Sequence, residues 1–164
     1  MASSARDVRV QREKKVLLTG PYASSIADMA EEVIRLRITG PEDSAYDGLV
    51  YTLKISFPPN YPFYPPSVYF EAPVPHHPNI AMDTGAICLD VLKMAPVGCW
   101  KANIGIFIYV ICIGIEAVIE AVTRLLAEPN VDDPLSFDVA KEFLVDHAAF
   151  CSNIRITYQN QVQK

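Results

Sequence analysis

The sequence predicts one α+β domain spanning residues 1–164, with an antiparallel sheet in the first half and most of the helices in the second. Three runs rich in β-branched and aromatic residues, each bounded by turn residues, occupy positions 33–70. Helical periodicity begins only after Trp100. Strands that precede helices in this way indicate helices packed on one face of a sheet. A chain of 164 residues is long enough for one such domain.

A first helix is predicted near the N-terminus, capped by Ser3 or Ser4 and ending at about Leu18, before Gly20 and Pro21. The helix has few apolar positions and is expected to lie on the surface. Its basic residues form a cluster on an otherwise acidic chain: Arg6, Arg9, Arg12, Lys14 and Lys15. This cluster either binds an acidic protein partner or forms an ordinary solvated helix face.

The three strands are predicted at residues 33–39, 49–57 and 67–70, and their short connections indicate an antiparallel meander. Eight of the thirteen prolines lie between Pro58 and Pro78. Proline removes a backbone donor and fixes φ, so this segment is predicted to be neither helix nor central strand.

Two helices are predicted after the strands. Apolar residues at three- and four-residue spacing, from Val118 to Leu126, indicate a helix that ends at Glu128 and Pro129. A further helix is expected at about residues 137–150, and the tail from Thr157 is polar.

Composition excludes several classes of function. The net charge of −5 and the pI near 5.1 argue against a nucleic-acid partner, because phosphate binding needs a basic surface. The uncharged run at 104–115 is too short to span a membrane, which takes about 20 residues. Residues 1–19 lack the apolar segment of a secretory signal, so we expect an intracellular protein of the cytoplasm and/or nucleus, with reduced thiols.

Cys88 is the candidate nucleophile. It follows a His-Pro-Asn turn, lies between Ile87 and Leu89, and has an amide and a carboxylate within a few residues. This pattern indicates covalent thiol chemistry, and the alternative is a small buried apolar residue. The other histidines and cysteines lack the paired close spacing of zinc sites, so no metal is expected.

Several motifs together resemble the ubiquitin-conjugating enzymes (E2) over residues 4–155. They lie in the family's order at residues 58–66, 77–80, 85–92, 100 and 128–135. The resemblance implies the E2 fold, a four-stranded antiparallel meander with an N-terminal helix, a central cross-over helix and C-terminal helices. Residues 93–100 are similar to the longer loop of the E2 subfamily that acts in the Fanconi anaemia pathway.

The resemblance also implies a function. An activating enzyme (E1) would pass ubiquitin to Cys88 as a thioester, and a substrate lysine would then attack the carbonyl with the help of a RING-type ligase (E3). ATP would be used by the E1, so this chain would need no cofactor. The alternative is a catalytically impaired E2-like module that binds ubiquitin or an E3. An independent cysteine hydrolase would need a histidine base, for which the sequence has no motif.

The resemblance assigns roles to residues around Cys88. Asn79 matches the asparagine whose amide supports the oxyanion or the nearby loop. Asp133 matches the position that orients the incoming lysine. The alternative is that Asp133 caps the following helix, just ahead of Pro134. His77 and Pro78 are expected to be structural.

Partner contacts are carried over in the same way. Phe63 and the residues Trp100, Lys101 and Ala102 match the surface that many E2 enzymes present to RING-type ligases. Arg9 and Arg12 fall on first-helix positions that the family uses for E1 and E3 contact. The alternative for Phe63 is inward packing.

The chain departs from the family pattern at three places. Asn79 and Cys88 are nine positions apart, one more than usual, and a bulge near residues 82–84 could absorb the extra residue. Residues 101–103 lack the family's proline. Residues 107–115 form an apolar insert, which we expect to lie before the cross-over helix or to loop out from its start, leaving Glu116 onward in register. Such a segment would cover part of the domain, pair with another copy or form an aggregation-prone patch.

Overall fold

The computed structural model describes residues 4–93 and 114–163. Helix α1 spans Ala5–Thr19, and four strands follow it: β1 Ile26–Met29, β2 Val33–Thr39, β3 Val50–Ser56 and β4 Ser67–Glu71. The later helices are α2 Ile115–Ala127, α3 Phe137–Val145 and α4 His147–Val162. This arrangement confirms the predicted α+β class.

The sheet is an antiparallel meander in the order β1-β2-β3-β4. Leu36, Leu53 and Phe70 lie side by side on three neighbouring strands and are almost fully buried. Alternate residues of these strands form the core, as the period of two requires. The opposite face is polar, and Arg35 lies there within 2.9 Å of both Asp28 and Glu71.

Strand β1 was not predicted from the residue pattern, although the family resemblance implied four strands. It is only four residues long, and none of its residues is fully buried. The strand depends on pairing with β2, and the register shifts between Ile26 and Asp28. A short strand of this kind has no strong local signal.

Helix α1 is more firmly attached to the domain than the sequence indicated. Ser4 and Asp7 form a capping box at its start. Lys14 is buried and donates to the backbone carbonyls of Ala30 and Glu31, each at 2.8 Å. Part of the basic cluster therefore holds the helix on the fold, and for Lys14 the solvated-face interpretation is wrong.

Helix α2 begins at Ile115, which is buried. The Ile115 N–H donates to a carboxylate oxygen of Glu13 in α1 at 2.9 Å, so a distant side chain caps this helix. Glu116 onward is helical as predicted, with buried residues at three- and four-residue spacing. Ile115, the last residue of the predicted apolar insert, is the first residue of the helix, and residues 107–113 of that insert lie outside the described residues.

The prediction of one helix over residues 137–150 was wrong, because Asp146 separates two helices. Asp146 has an extended φ of −140°, and its side chain accepts from the Ala149 N–H at 3.0 Å as the N-cap of α4. The α4 helix then continues past Thr157. Its end is fastened to the chain after β4 by two hydrogen bonds between Gln161 and the Val74 backbone, of 2.7 and 2.9 Å.

Candidate active site

The segment that carries Cys88 is held against the last strand of the sheet by a tight turn. The Phe70 N–H donates to the Gly85 carbonyl at 2.9 Å, and Gly85 has a φ of 70°. A Cβ at this position would lie 1.9 Å from the Phe70 carbonyl oxygen. Only glycine meets both conditions without displacing the backbone.

The segment from Asn79 to Cys88, which we predicted to be one residue longer than the family pattern, closes on itself through the same turn. The Gly85 N–H donates to the Ala81 carbonyl at 2.8 Å, and the Ala81 N–H donates to the Ala86 carbonyl at 2.9 Å. The Cys88 N–H then donates to the Asn79 carbonyl at 2.9 Å. The two ends of the turn thus meet, which keeps the cysteine backbone beside the asparagine despite the added length.

The Cys88 thiol lies at one end of a chain of charged side chains. Its Sγ is half-buried and lies 3.4 Å from Oδ2 of Asp133. The Lys93 Nζ is 2.8 Å from the same Asp133 oxygen and 3.1 Å from Oδ1 of Asp90. A thiol, two carboxylates and an ammonium group therefore form one cluster, which we call the Cys88 cluster.

The electrostatics of the Cys88 cluster bear on how the thiol reacts. Burial raises the pKa of Cys88, the Asp133 carboxylate raises it further, and the Lys93 ammonium acts in the opposite direction. The hydrogen bond from Lys93, followed by that from Cys88, lowers the pKa of Asp133. The two neighbouring carboxylates raise the pKa of Lys93. At neutral pH, Asp133 is therefore an anion and Lys93 a cation.

Asn79 is fully buried, and its side chain is committed to the loop that carries Asp133. Its Nδ2 donates to the carbonyls of Asn130 at 2.7 Å and Asp133 at 3.0 Å. Its Oδ1 accepts from the Asn130 N–H at 2.9 Å. Both amide hydrogens and the carbonyl oxygen are in use, so the arrangement favours loop support over an oxyanion donor.

His77 and Pro78 fasten this region to the helices. His77 is fully buried, and its Nδ1 accepts from the Asn79 N–H at 3.0 Å. The other ring nitrogen, Nε2, must then carry the hydrogen, and it donates to the Leu125 carbonyl of α2 at 2.9 Å. Burial lowers the pKa of His77 to about 4. The Pro78 carbonyl accepts from Leu135 at 2.8 Å.

Of the proposed partner residues, the structure describes Phe63, Arg9 and Arg12. Phe63 is 64% exposed on the proline-rich loop, so it does not pack inward. On α1, Arg12 is exposed, whereas Arg9 pairs with Glu13 and lies 5.9 Å from the centre of the Tyr61 ring. Trp100, Lys101 and Ala102 lie outside the described residues.

Sequence reasoning missed Lys93 and Asp90 in the Cys88 cluster. Lys93 comes five positions after Cys88, but the signal for a site is its pairing with Asp133, which is 40 positions away. No local pattern reveals such a pair.

Within residues 4–93 and 114–163, no group of three His, Cys, Asp or Glu side chains could hold a metal ion. In the same ranges, no helix has both the length and the apolar character needed to cross a membrane.

Comparison with known proteins identifies the class to which this fold and cysteine segment belong. The sequence model of the family described as ubiquitin-conjugating enzyme matches residues 9–158. The chain therefore belongs to the ubiquitin-conjugating enzymes, as the motifs predicted.

Two individual relatives and one solved structure show how similar this chain is to known proteins of the family. The chain is 36% identical over 150 residues to ubiquitin-conjugating enzyme E2 T of Xenopus laevis, covering 90% of this chain and 72% of that protein. It is 35% identical over 154 residues to ubiquitin-conjugating enzyme E2 T of Homo sapiens, covering 92% and 72%. A crystal structure of a Plasmodium yoelii protein assigned to the ubiquitin conjugating enzymes superposes with a TM-score of 0.76 at 29% identity, covering 98% of this chain and 97% of that one.

Proposed function

We propose that this E2 enzyme accepts ubiquitin from an E1 as a thioester on Cys88 and transfers it to a lysine of a protein substrate. The observation that carries the proposal is the contact of 3.4 Å between the Cys88 thiol and the Asp133 carboxylate. This contact places the proposed nucleophile beside the proposed orienting group, in a chain that belongs to the ubiquitin-conjugating enzymes.

In the first step, the Cys88 thiolate attacks the carbonyl carbon of the thioester that links ubiquitin to the E1. A new C–S bond forms on Cys88, the old C–S bond breaks, and the E1 thiolate leaves. The thiol must lose its proton before it attacks, and burial and Asp133 both oppose that loss because they raise the pKa of Cys88. Lys93 partly offsets this effect.

In the second step, a substrate lysine ammonium loses one proton, the neutral nitrogen attacks the ubiquitin carbonyl, and the nitrogen releases a second proton to water as the amide forms. A C–N bond forms, the C–S bond breaks, and the thiolate returns to Cys88. Asp133 is a weak base because its pKa is lowered, so its role is to attract and orient the lysine ammonium, and the proton passes on to water. Asn79 is a positioning residue that holds the loop of Asp133.

The partners follow from the same proposal. Ubiquitin and an E1 take part in the first step, and a RING-type E3 binds the exposed Phe63. An exposed aromatic on a loop stiffened by proline has little conformational entropy to lose on binding. Arg12 is available on α1 for the E1 or the E3. The chain carries ubiquitin on its own thiol and uses no cofactor. Its similarity to the E2 T relatives supports a place in that branch of the family.

A charging assay tests the proposal. The chain is incubated with E1, ATP and ubiquitin and then separated under reducing and non-reducing conditions. We expect an adduct that thiols cleave. In Cys88→Ser this adduct is lost or replaced by an oxyester that thiols do not cleave. Cys151→Ser is the matched control, because Cys151 is also a half-buried free thiol but lies on α4; it should charge like the native chain.

Two results would contradict the proposal. Charging that survives in Cys88→Ser as a thiol-sensitive adduct would assign the thioester to another cysteine. No adduct on the native chain, under conditions that charge another E2, would favour the catalytically impaired binding module.

A further inference from the structure

The proline-rich loop that carries Phe63 is held on the domain by helix α1. At the base of the loop, the Arg6 guanidinium donates to the backbone carbonyls of Phe57 at 2.7 Å and Pro58 at 2.9 Å. Further along, the Tyr61 ring packs edge-on against that of Phe57, with 4.9 Å between their centres. Tyr61 is buried, although Phe63 is exposed only two residues later. The loop therefore buries one aromatic side chain and presents another to solvent.

Tyr61 is fixed by a buried carboxylate of α1. Its hydroxyl donates to Oε1 of Glu13 at 3.0 Å. Burial and the charge of Glu13 raise the pKa of Tyr61, so the hydroxyl stays protonated and can donate at neutral pH. Arg9 donates to the same Glu13 oxygen at 2.5 Å, and the Ile115 N–H donates to Oε2 at 2.9 Å. Because both oxygens are engaged, the carboxylate is held in one orientation beneath the tyrosine.

We infer that Tyr61 and Glu13 are positioning residues for the E3, because their hydrogen bond orients the loop of Phe63 before a RING domain binds. Phe63 is exposed and has little packing of its own. Its orientation depends on Tyr61 and on the turn in which the Tyr64 N–H donates to the Asn60 carbonyl at 3.1 Å. A loop that is ordered in advance loses less conformational entropy on binding. This inference rests on the proposed function of Phe63.

Arg9 belongs to the same network, although the family resemblance assigned it to partner contact. Its guanidinium pairs with Glu13 and lies 5.9 Å from the centre of the Tyr61 ring. A buried carboxylate is stable only beside a cation or several hydrogen-bond donors, and Arg9 supplies the cation. Arg9 therefore supports the loop from beneath, whereas Arg12 is exposed on the same helix and can meet a partner directly.

The test measures how strongly a RING domain accelerates the discharge of the Cys88–ubiquitin thioester to free lysine. A purified RING domain is first selected because it accelerates this discharge by the native chain. Tyr61→Phe removes only the hydroxyl, and we expect the RING concentration for half-maximal acceleration to rise about two- to tenfold. The rates at saturating RING and without RING should stay the same, because Tyr61 is not part of the Cys88 cluster.

Two further variants assign the effect to the loop. Phe63→Ala should also raise the RING concentration for half-maximal acceleration, and adding Tyr61→Phe to it should cause no further rise, because Tyr61 acts through Phe63. Tyr158→Phe is the matched control. It removes a tyrosine hydroxyl that is bonded to the Val50 backbone in another part of the fold, and it should respond to RING like the native chain.

Hydrogen exchange tests the loop without any partner. The Tyr64 N–H is bonded within the loop, and it should exchange faster in Tyr61→Phe than in the native chain. A variant that only lowered the stability of the whole domain would accelerate exchange in the central strands. It would leave this loop unchanged, because loop amides exchange through local opening.

The inference is overturned if Tyr61→Phe needs no more RING than the native chain, or if its effect still adds to that of Phe63→Ala. An equal rise in Tyr158→Phe, or an unchanged exchange rate at Tyr64, would also overturn it. Failure of the proposed function has a different signature. In that case no RING domain accelerates the native discharge, or Phe63→Ala responds to RING as the native chain does, and the inference fails with it.

Discussion

The Nε2 atom of His77 donates a hydrogen bond to the carbonyl of Leu125 at 2.9 Å. This bond joins the turn before the cysteine segment to the last helical turns of α2, where backbone carbonyls lack helical partners. Because Nδ1 accepts from Asn79 at the same time, the ring can make both bonds only when it is neutral. The anchoring of the cysteine segment therefore depends on pH.

Acidification should destabilise the protein through His77. Its pKa is about 4 in the folded protein against an ordinary value of 6.5, so between these values the unfolded chain binds a proton that the folded chain does not. The stabilisation is complete above pH 6.5 and is lost as the pH falls toward 4. We expect His77 to account for a loss of about 1 kcal/mol in the free energy of unfolding between pH 7 and 5.5, measured by urea unfolding.

His77→Gln should be less stable at pH 7 but should show a correspondingly smaller change with pH. His147→Gln is the matched control, since His147 is exposed, and it should keep the native pH dependence. Equal pH dependence in the native chain and His77→Gln would show that this ring is not responsible.

Replacing Asn79→Asp should destabilise the protein by about 1–3 kcal/mol, because two hydrogen bonds are lost and a carboxylate faces two carbonyls. The backbone N–H of Asn130 should exchange its hydrogen faster, because repulsion between the new carboxylate and the carbonyls of Asn130 and Asp133 loosens the loop that contains it. Urea unfolding and hydrogen exchange measure the two effects. The exposed Asn60→Asp makes the same chemical change elsewhere and should be close to neutral. A stable Asn79→Asp with a protected Asn130 amide would argue against the support role.

Two variants should move the reactivity of Cys88 in opposite directions. Asp133→Asn removes a carboxylate that raises the pKa of Cys88, so the pH midpoint of its alkylation by iodoacetamide should fall. Lys93→Gln removes a cation that lowers this pKa, so the midpoint should rise. Mass spectrometry of the labelled peptides follows each thiol, and Cys151 provides an internal reference. Midpoints that move together, or do not move, would contradict the electrostatic account.

Glu13→Gln should lower the free energy of unfolding by about 1–3 kcal/mol. The buried carboxylate accepts from Tyr61 at 3.0 Å and from Ile115 at 2.9 Å, and an amide nitrogen cannot accept at one of these positions. The exposed Glu120→Gln on α2 is the control and should change stability by less than about 0.5 kcal/mol. Urea unfolding measures the free energy of unfolding of both variants. An equal loss of stability in the two would rule out a special role for the buried carboxylate.

The parts of the fold with strong local signals were predictable from the sequence. Residues 33–39 alternate between buried and more exposed side chains, and β2 has the predicted bounds. Helix α2 is marked by its apolar periodicity. The break at Asp146 was missed because it contains neither glycine nor proline, and a single aspartate becomes a helix cap only when the tertiary structure turns the chain there.

The site was predictable only where it is a linear motif. The family motifs predict Cys88, Asn79 and Asp133 as site residues, and the fold brings these three residues together. The pair of Lys93 with Asp133 spans 40 positions, and that of Glu13 with Ile115 spans 102. Contacts between residues so far apart in the sequence depend on how the helices and strands pack. Neither composition nor periodicity predicts them.

The hydrogen bond from the Ile115 N–H to Glu13 also bears on where the length of the chain can vary. Nine residues added inside a helix turn everything beyond them by about half a revolution, which would point the core face of α2 to solvent. Here the first turn of the helix is defined by Glu13, a residue of another helix. This contact holds the start of α2 from outside the segment that precedes it. We therefore expect that residues added or removed just before Gly114 would leave the core of the domain undisturbed.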